Sequence, residues 1–118
     1  MKPQIHAKRS AHKFGGRAED YIAIHEWFDQ TKAAHADMRH RAILHNAMGC
    51  YIAAQVFGDD FGCITTSDGK RVPVRDVAEQ HVLDDLGCIP SLSDILNHLP
   101  HLDVLGGVRR LTTFRLED

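Results

Sequence analysis

The sequence predicts an α+β fold, mainly α: an αα-hairpin, one β-hairpin and two further helices around a single core. Three observations carry this reading. Apolar residues recur at helical spacing in three stretches. A Ser67-Asp68-Gly69 turn separates two short strand-like runs. The length, 118 residues, suits one domain with one modest core rather than two.

Taken in order, residues 1–17 read as a basic N-terminal arm, with Lys2, Lys8, Arg9, Lys13 and Arg17 ahead of the first acid, Glu19. A globular domain follows over 18–102, and 103–118 reads as a C-terminal tail or strand. The first domain helix is expected from about Ala18 to Gln30, with Tyr21, Ile24 and Phe28 on one stripe and His25 at its edge. A long second helix is expected from about Lys32 to Phe57. Gly49 in its middle marks close packing, and Gly58 is the stop. Strands over Phe61–Thr66 and Lys70–Val74 form the hairpin, with Pro73 confining its strand to an edge. A third helix spans Val74 to Leu86 and stops at Gly87. A fourth, opened by Ser91 and Asp94, runs to about Leu99.

Composition narrows the function classes. Net charge is −2, so no global field favours nucleic acid or a membrane surface. The basic arm has only Phe14 as an interleaved aromatic, which argues against nucleic-acid readout by stacking. The three cysteines, Cys50, Cys63 and Cys88, are odd in number and widely spaced, as expected of reduced thiols in a cytoplasmic protein. No secretory h-region and no membrane-spanning run are expected. A homo-oligomer, with a dimer as the simplest closed form, is the expected partner state.

Nine histidines are the unusual feature, because histidine is both the neutral-pH titrating group and the commonest metal ligand. On the third helix Val74, Ala78 and Val82 share a face with His81 and Asp85. On the second, Asp37, Arg41 and His45 recur at i, i+4, i+8 in an apolar sector, and His40 lies at its edge. His35 points elsewhere. Metal-ligand candidates are therefore His25, Asp37, His40, His45, His81 and Asp85, a donor set for one zinc or iron ion. An ion of that kind lowers the pKa of bound water, so any enzyme built on it would be a metal-dependent hydrolase. The competing reading is a structural network in which Asp37–Arg41 is an ion pair and His81–Asp85 a local hydrogen bond.

The blocks Arg39-His40-Arg41-Ala42-Ile43-Leu44-His45, Ser67-Asp68-Gly69, Glu79-Gln80-His81-Val82 and Asp85-Leu86-Gly87-Cys88-Ile89-Pro90 resemble a family of small bacterial and phage proteins of unknown function. The resemblance covers about residues 21–97. It marks His40, His45, Glu79 and His81, and it implies no established activity. It leaves two function classes open: a metal-binding protein, or a non-enzymatic accessory protein of phage or mobile-element type acting through an oligomeric surface.

Overall fold

A computed structural model describes residues 1–34 and 40–97. The chain runs α1 (Pro3–Phe14), a 3-10 turn (Ala18–Asp20), α2 (Ile22–Asp29), a second 3-10 turn (Gln30–Ala33), α3 (Arg41–Leu44) and α4 (Ala47–Phe57). It continues with β1 (Cys63–Thr65), β2 (Arg71–Pro73), α5 (Val74–Leu86) and α6 (Leu92–Asn97). The fold is α+β and mainly α, with one antiparallel hairpin. The expected tail over 103–118 lies outside the described residues, as does the expected end of the fourth helix at Leu99.

Residues 3–14, read above as part of an arm, are a helix packed on α2 and α5. Pro3 in its first turn suits a helix start, and Ala7, Lys8, Arg9, Ala11 and Lys13 are good helix formers. Apolar periodicity is missing because the inward face is small and polar. His6, Ala7 and Ser10 are buried, and Ala11 and Phe14 pack at the edge.

The long helix expected over Lys32–Phe57 is broken. His45 leaves the helical region at φ −80°, ψ 63°, and Asn46 is extended at φ −156°, ψ 176°. Asn46 then caps α4, its side-chain oxygen accepting from the Gly49 amide at 2.9 Å. Its amide nitrogen donates to the carbonyls of Ala42 at 3.3 Å and Ile43 at 3.0 Å. Gly49 does mark a close approach, but the neighbour is the preceding turn of chain. A Cβ there would lie 1.8 Å from the Leu44 carbonyl oxygen.

The hairpin pairs Ile64 with Val72. Its tip is tied to the α1–α2 junction: Asp20 Oδ2 accepts from the Arg17 amide at 2.7 Å, the Ser67 amide at 3.1 Å and the Ser67 hydroxyl at 2.9 Å. Those donors hold the Asp20 carboxyl below the usual range. Helix α5 runs over the residues its sequence pattern marks, and Gly87 ends it in the left-handed region at φ 76°, where a side chain is disfavoured. The Ser91–Asp94 capping box opens α6: the Ser91 amide donates to Asp94 Oδ2 at 2.9 Å, and the Asp94 amide to Ser91 Oγ at 3.0 Å.

An apolar core of Tyr21, Ile24, Phe28, Ala53, Val74, Val77, Ala78 and Val82 joins α2, α4 and α5. Beside it lies a second, polar core: His6, Ser10, His25, His40, His45, Asn46 and His81 are all buried. Among the described residues, no helix is long and apolar enough to cross a membrane.

Candidate metal centre

Three helices each deliver a pair of polar side chains one turn apart: His6 and Ser10 from α1, His25 and Asp29 from α2, His81 and Asp85 from α5. Positions i and i+4 share a helix face, so each pair points the same way. The break between α3 and α4 adds His45, and His40 sits just ahead of α3. The side chains of His45 and His81 have no exposed surface, and those of Asp29 and Asp85 are 8% and 2% exposed.

Four of these groups converge. Nε2 of His45 is 2.9 Å from Asp85 Oδ2 and 3.1 Å from Nε2 of His81. Nε2 of His81 is 3.3 Å from the same carboxylate oxygen. Asp29 Oδ1 completes the set, 3.7 Å from His81 Nε2 and 3.9 Å from His45 Nε2. A tetrahedral ion with bonds of about 2.0–2.2 Å holds its donors roughly 3.3–3.6 Å apart. The five donor–donor distances above, 2.9 to 3.9 Å, bracket that value.

A hydrogen-bond network fills this arrangement only in part. Two imidazole nitrogens and a carboxylate oxygen face one another, and each nitrogen either donates or accepts, not both. If both nitrogens carry hydrogen toward Asp85, they share one acceptor oxygen and their own 3.1 Å contact is left without a hydrogen bond. If one is bare, its lone pair faces the carboxylate. The buried atoms without a hydrogen-bond partner among the described residues include Asp29 Oδ2 and His45 Nδ1, the second atoms of these side chains and not the ones that converge.

The electrostatics follow from the packing. Burial pushes the Asp85 carboxyl up, but hydrogen bonds from His45, His6 and His81 hold it far below the usual range. Asp29 is also lowered: burial opposes, and His81 and Lys32 outweigh it. Burial works against charge on His81 too, yet Asp29 and Asp85 raise it above the ordinary imidazole value. Burial lowers His45. Nearby positive charge sits on Arg41, whose guanidinium is 3.6 Å from Asp85 Oδ1, and on Lys32, 3.8 Å from Asp29 Oδ2.

A second set of donors, His6, His25 and His81, also lies within 4.8 Å. Its rings are wrongly disposed for one ion. His6 stacks on His81 with centroids 3.9 Å apart and planes inclined by 24°. In-plane lone pairs of stacked rings run side by side and do not converge. His25 and His81 face each other through their Nδ1 atoms at 2.8 Å, which is a hydrogen bond.

Of the residues singled out from sequence, His45, His81 and Asp85 come together. His25 stands behind His81. His40 is buried, with Nε2 3.7 Å from Asp29 Oδ1. Asp37 lies outside the described residues. Glu79 stays at the surface with Arg75, 2.9 Å away. Sequence reasoning missed His6, Ser10 and Asp29. For Asp29 a signal existed, since His25–Asp29 repeats the spacing of His81–Asp85. No thiol joins the centre: Cys50 is buried in the apolar core, its thiol pushed up to about 12 by burial.

A family profile described as a domain of unknown function, DUF6915, matches residues 1–105. The chain belongs to the DUF6915 family. The match reaches past the 21–97 region of the sequence resemblance and takes in α1, so the DUF6915 domain contains every helix that feeds the centre. No curated protein and no solved structure matches the chain.

Proposed function

We propose that this DUF6915 protein binds one divalent metal ion, zinc or iron(II), through Asp29, His45, His81 and Asp85. The observation that carries the reading is the set of buried donor distances, 2.9 to 3.9 Å, around a common point. Two imidazoles and two carboxylates suit a borderline first-row ion. The donors come from α2, α5 and the α3–α4 break, so the ion would pin these elements together. Four protein donors on buried side chains favour a structural ion over the hydrolytic centre, which keeps an open position.

A second reading, an accessory protein acting through an oligomeric surface, has its own observation. Helix α4 carries no charged residue, and Met48, Tyr51 and Val56 on its outer face are 46%, 57% and 54% exposed.

Metal content and thermal melts of tag-free, chelated protein separate the two. Under the first reading zinc or iron(II) co-purifies and re-addition raises the melting temperature, the stabilisation being about 2.7 kcal/mol at a hundredfold excess over Kd. His45→Ala and His81→Ala lose that rise, while His12→Ala on the outer face of α1 keeps it. No co-purifying metal and no shift with zinc, iron(II), manganese or nickel overturns the metal reading and leaves the surface reading standing.

A further inference from the structure

The His25 side chain sits at the junction of two short buried hydrogen bonds. Its Nε2 is 2.7 Å from Ser10 Oγ, and its Nδ1 is 2.8 Å from His81 Nδ1. The His25 and His81 rings are inclined by only 18°. His25 and Ser10 are each 1% exposed and His81 has no exposed surface, so water does not compete for these contacts. Both nitrogens of His25 are therefore committed.

A neutral imidazole carries one N–H, so this chain can run in only two directions. In one, the Ser10 hydroxyl donates to His25 Nε2, and His25 Nδ1–H donates to His81 Nδ1. The His81 proton then sits on Nε2, pointing at His45 and Asp85. In the other, His81 Nδ1–H donates to His25 Nδ1, and His25 Nε2–H donates to Ser10 Oγ. The His81 Nε2 lone pair is then bare. Serine accepts both directions because its hydroxyl is donor and acceptor. Only the second is compatible with an ion at His81 Nε2.

Resting on the metal reading above, we propose that His25 is a positioning residue of the centre: by accepting from His81 Nδ1–H it fixes the tautomer and plane in which His81 presents Nε2 to the ion. Imidazole ligands commonly have their second nitrogen held by a carboxylate or carbonyl. Here another imidazole takes that place, and Ser10 holds that imidazole in turn. His6 acts in parallel on the carboxylate: its Nε2 is 3.2 Å from Asp85 Oδ1, which leaves Oδ2 to the His45–His81 side.

Two measurements test the proposal. The first is long-range 1H–15N correlation NMR of the zinc-loaded protein, a diamagnetic form. His81 should show a protonated Nδ1 and a metal-shifted Nε2, with the His25 proton on Nε2. A His25 proton on Nδ1, or a metal-shifted His81 Nδ1, overturns the proposal. The second is zinc affinity by competition with a chromogenic chelator. His25→Leu removes the acceptor at similar bulk and should weaken zinc binding about 10–100-fold, whereas His25→Asn, whose Oδ1 takes the place of Nδ1, should stay within about threefold of wild type. Equal affinity of the Leu variant and wild type, or equal losses in the Leu and Asn variants, overturns the role of His25 and leaves the metal site intact. Wild type that binds no zinc overturns both. Where the Leu variant does not fold, the tautomers of the wild-type protein decide.

Discussion

Helix α5 and the broken segment from Arg41 to Phe57 each bring an imidazole to the same point, and they do so by different physics. In α5 the spacing is a property of the regular helix. His81 and Asp85 share a face because four residues make about one turn, and any sequence that keeps the helix keeps the pair. His45 sits where the helix fails. Its position depends on the Asn46 cap, on the approach of Gly49 to Leu44 and on the Ala47 amide donating to the Pro90 carbonyl at 2.8 Å. A side chain on a regular element is insensitive to single changes on the outer face. A side chain at a break is set by a few backbone contacts and is correspondingly fragile.

Among the described glycines, Gly49→Ala should produce the largest effect. The added Cβ would meet the Leu44 carbonyl oxygen at 1.8 Å, and that oxygen is backbone, which cannot swing aside. Either α4 shifts or the break opens, and His45 moves with it. A loss above about 4 kcal/mol, or no folded protein, is expected by urea unfolding. On the regular element the contrasting change is Glu79→Ala, at an exposed i, i+4 pair with Arg75, which should stay within about 0.5 kcal/mol. Equal stabilities for the two variants would remove the distinction between the elements.

Asn46→Ala sharpens the same point at a smaller scale. It removes the cap to Gly49 and the two bonds to Ala42 and Ile43 without adding bulk. A loss of about 1–2 kcal/mol is expected. If the metal reading holds, zinc affinity should fall as well, because the turn carrying His45 loosens. A variant destabilised by this amount with unchanged zinc affinity would show that His45 is held from elsewhere.

The same contrast explains what was legible in the sequence. Helix α5 was read to its ends, because Val74, Ala78 and Val82 make an apolar stripe and Gly87 a stop. His81 and Asp85 then follow from the wheel. For residues 32–57 the wheel turned His45 inward on a helix that is not continuous, and the ring is buried because of the break at Asn46. Apolar periodicity runs smoothly through that break, since Ala42, Ile43, Leu44, Ala47 and Met48 all suit a helix, and the capping role of Asn46 hides within the pattern. Helix α1 was missed for the opposite reason. Its inward face is His6 and Ser10, which hydropathy counts as solvent-facing, so a helix with a polar core contact reads as an arm.

His45 and His81 should also titrate in opposite directions. Burial dominates for His45 and lowers its pKa from the ordinary 6.5. Above that value both states are neutral and the group contributes nothing. As pH falls below it, the unfolded chain takes up a proton that the folded one refuses, and stability drops. His25, lowered to about 3, adds to the same acid-side loss. His81 is raised against burial by Asp29 and Asp85. Its contribution is fully present below 6.5 and is lost as pH rises through the folded value. Metal-free protein should therefore lose stability on both sides of the histidine range. One full proton corresponds to a slope of about 1.4 kcal/mol per pH unit. Urea unfolding across pH 5 to 9 in chelator separates the rings. His81→Gln should flatten the alkaline fall and keep the acid one. His45→Gln should keep the alkaline fall and reduce the acid one, with His25 supplying the remainder. An alkaline fall that survives His81→Gln would mean that the proton between the two carboxylates is held by another group, and the asymmetry between the α5 imidazole and its neighbour at the break would disappear.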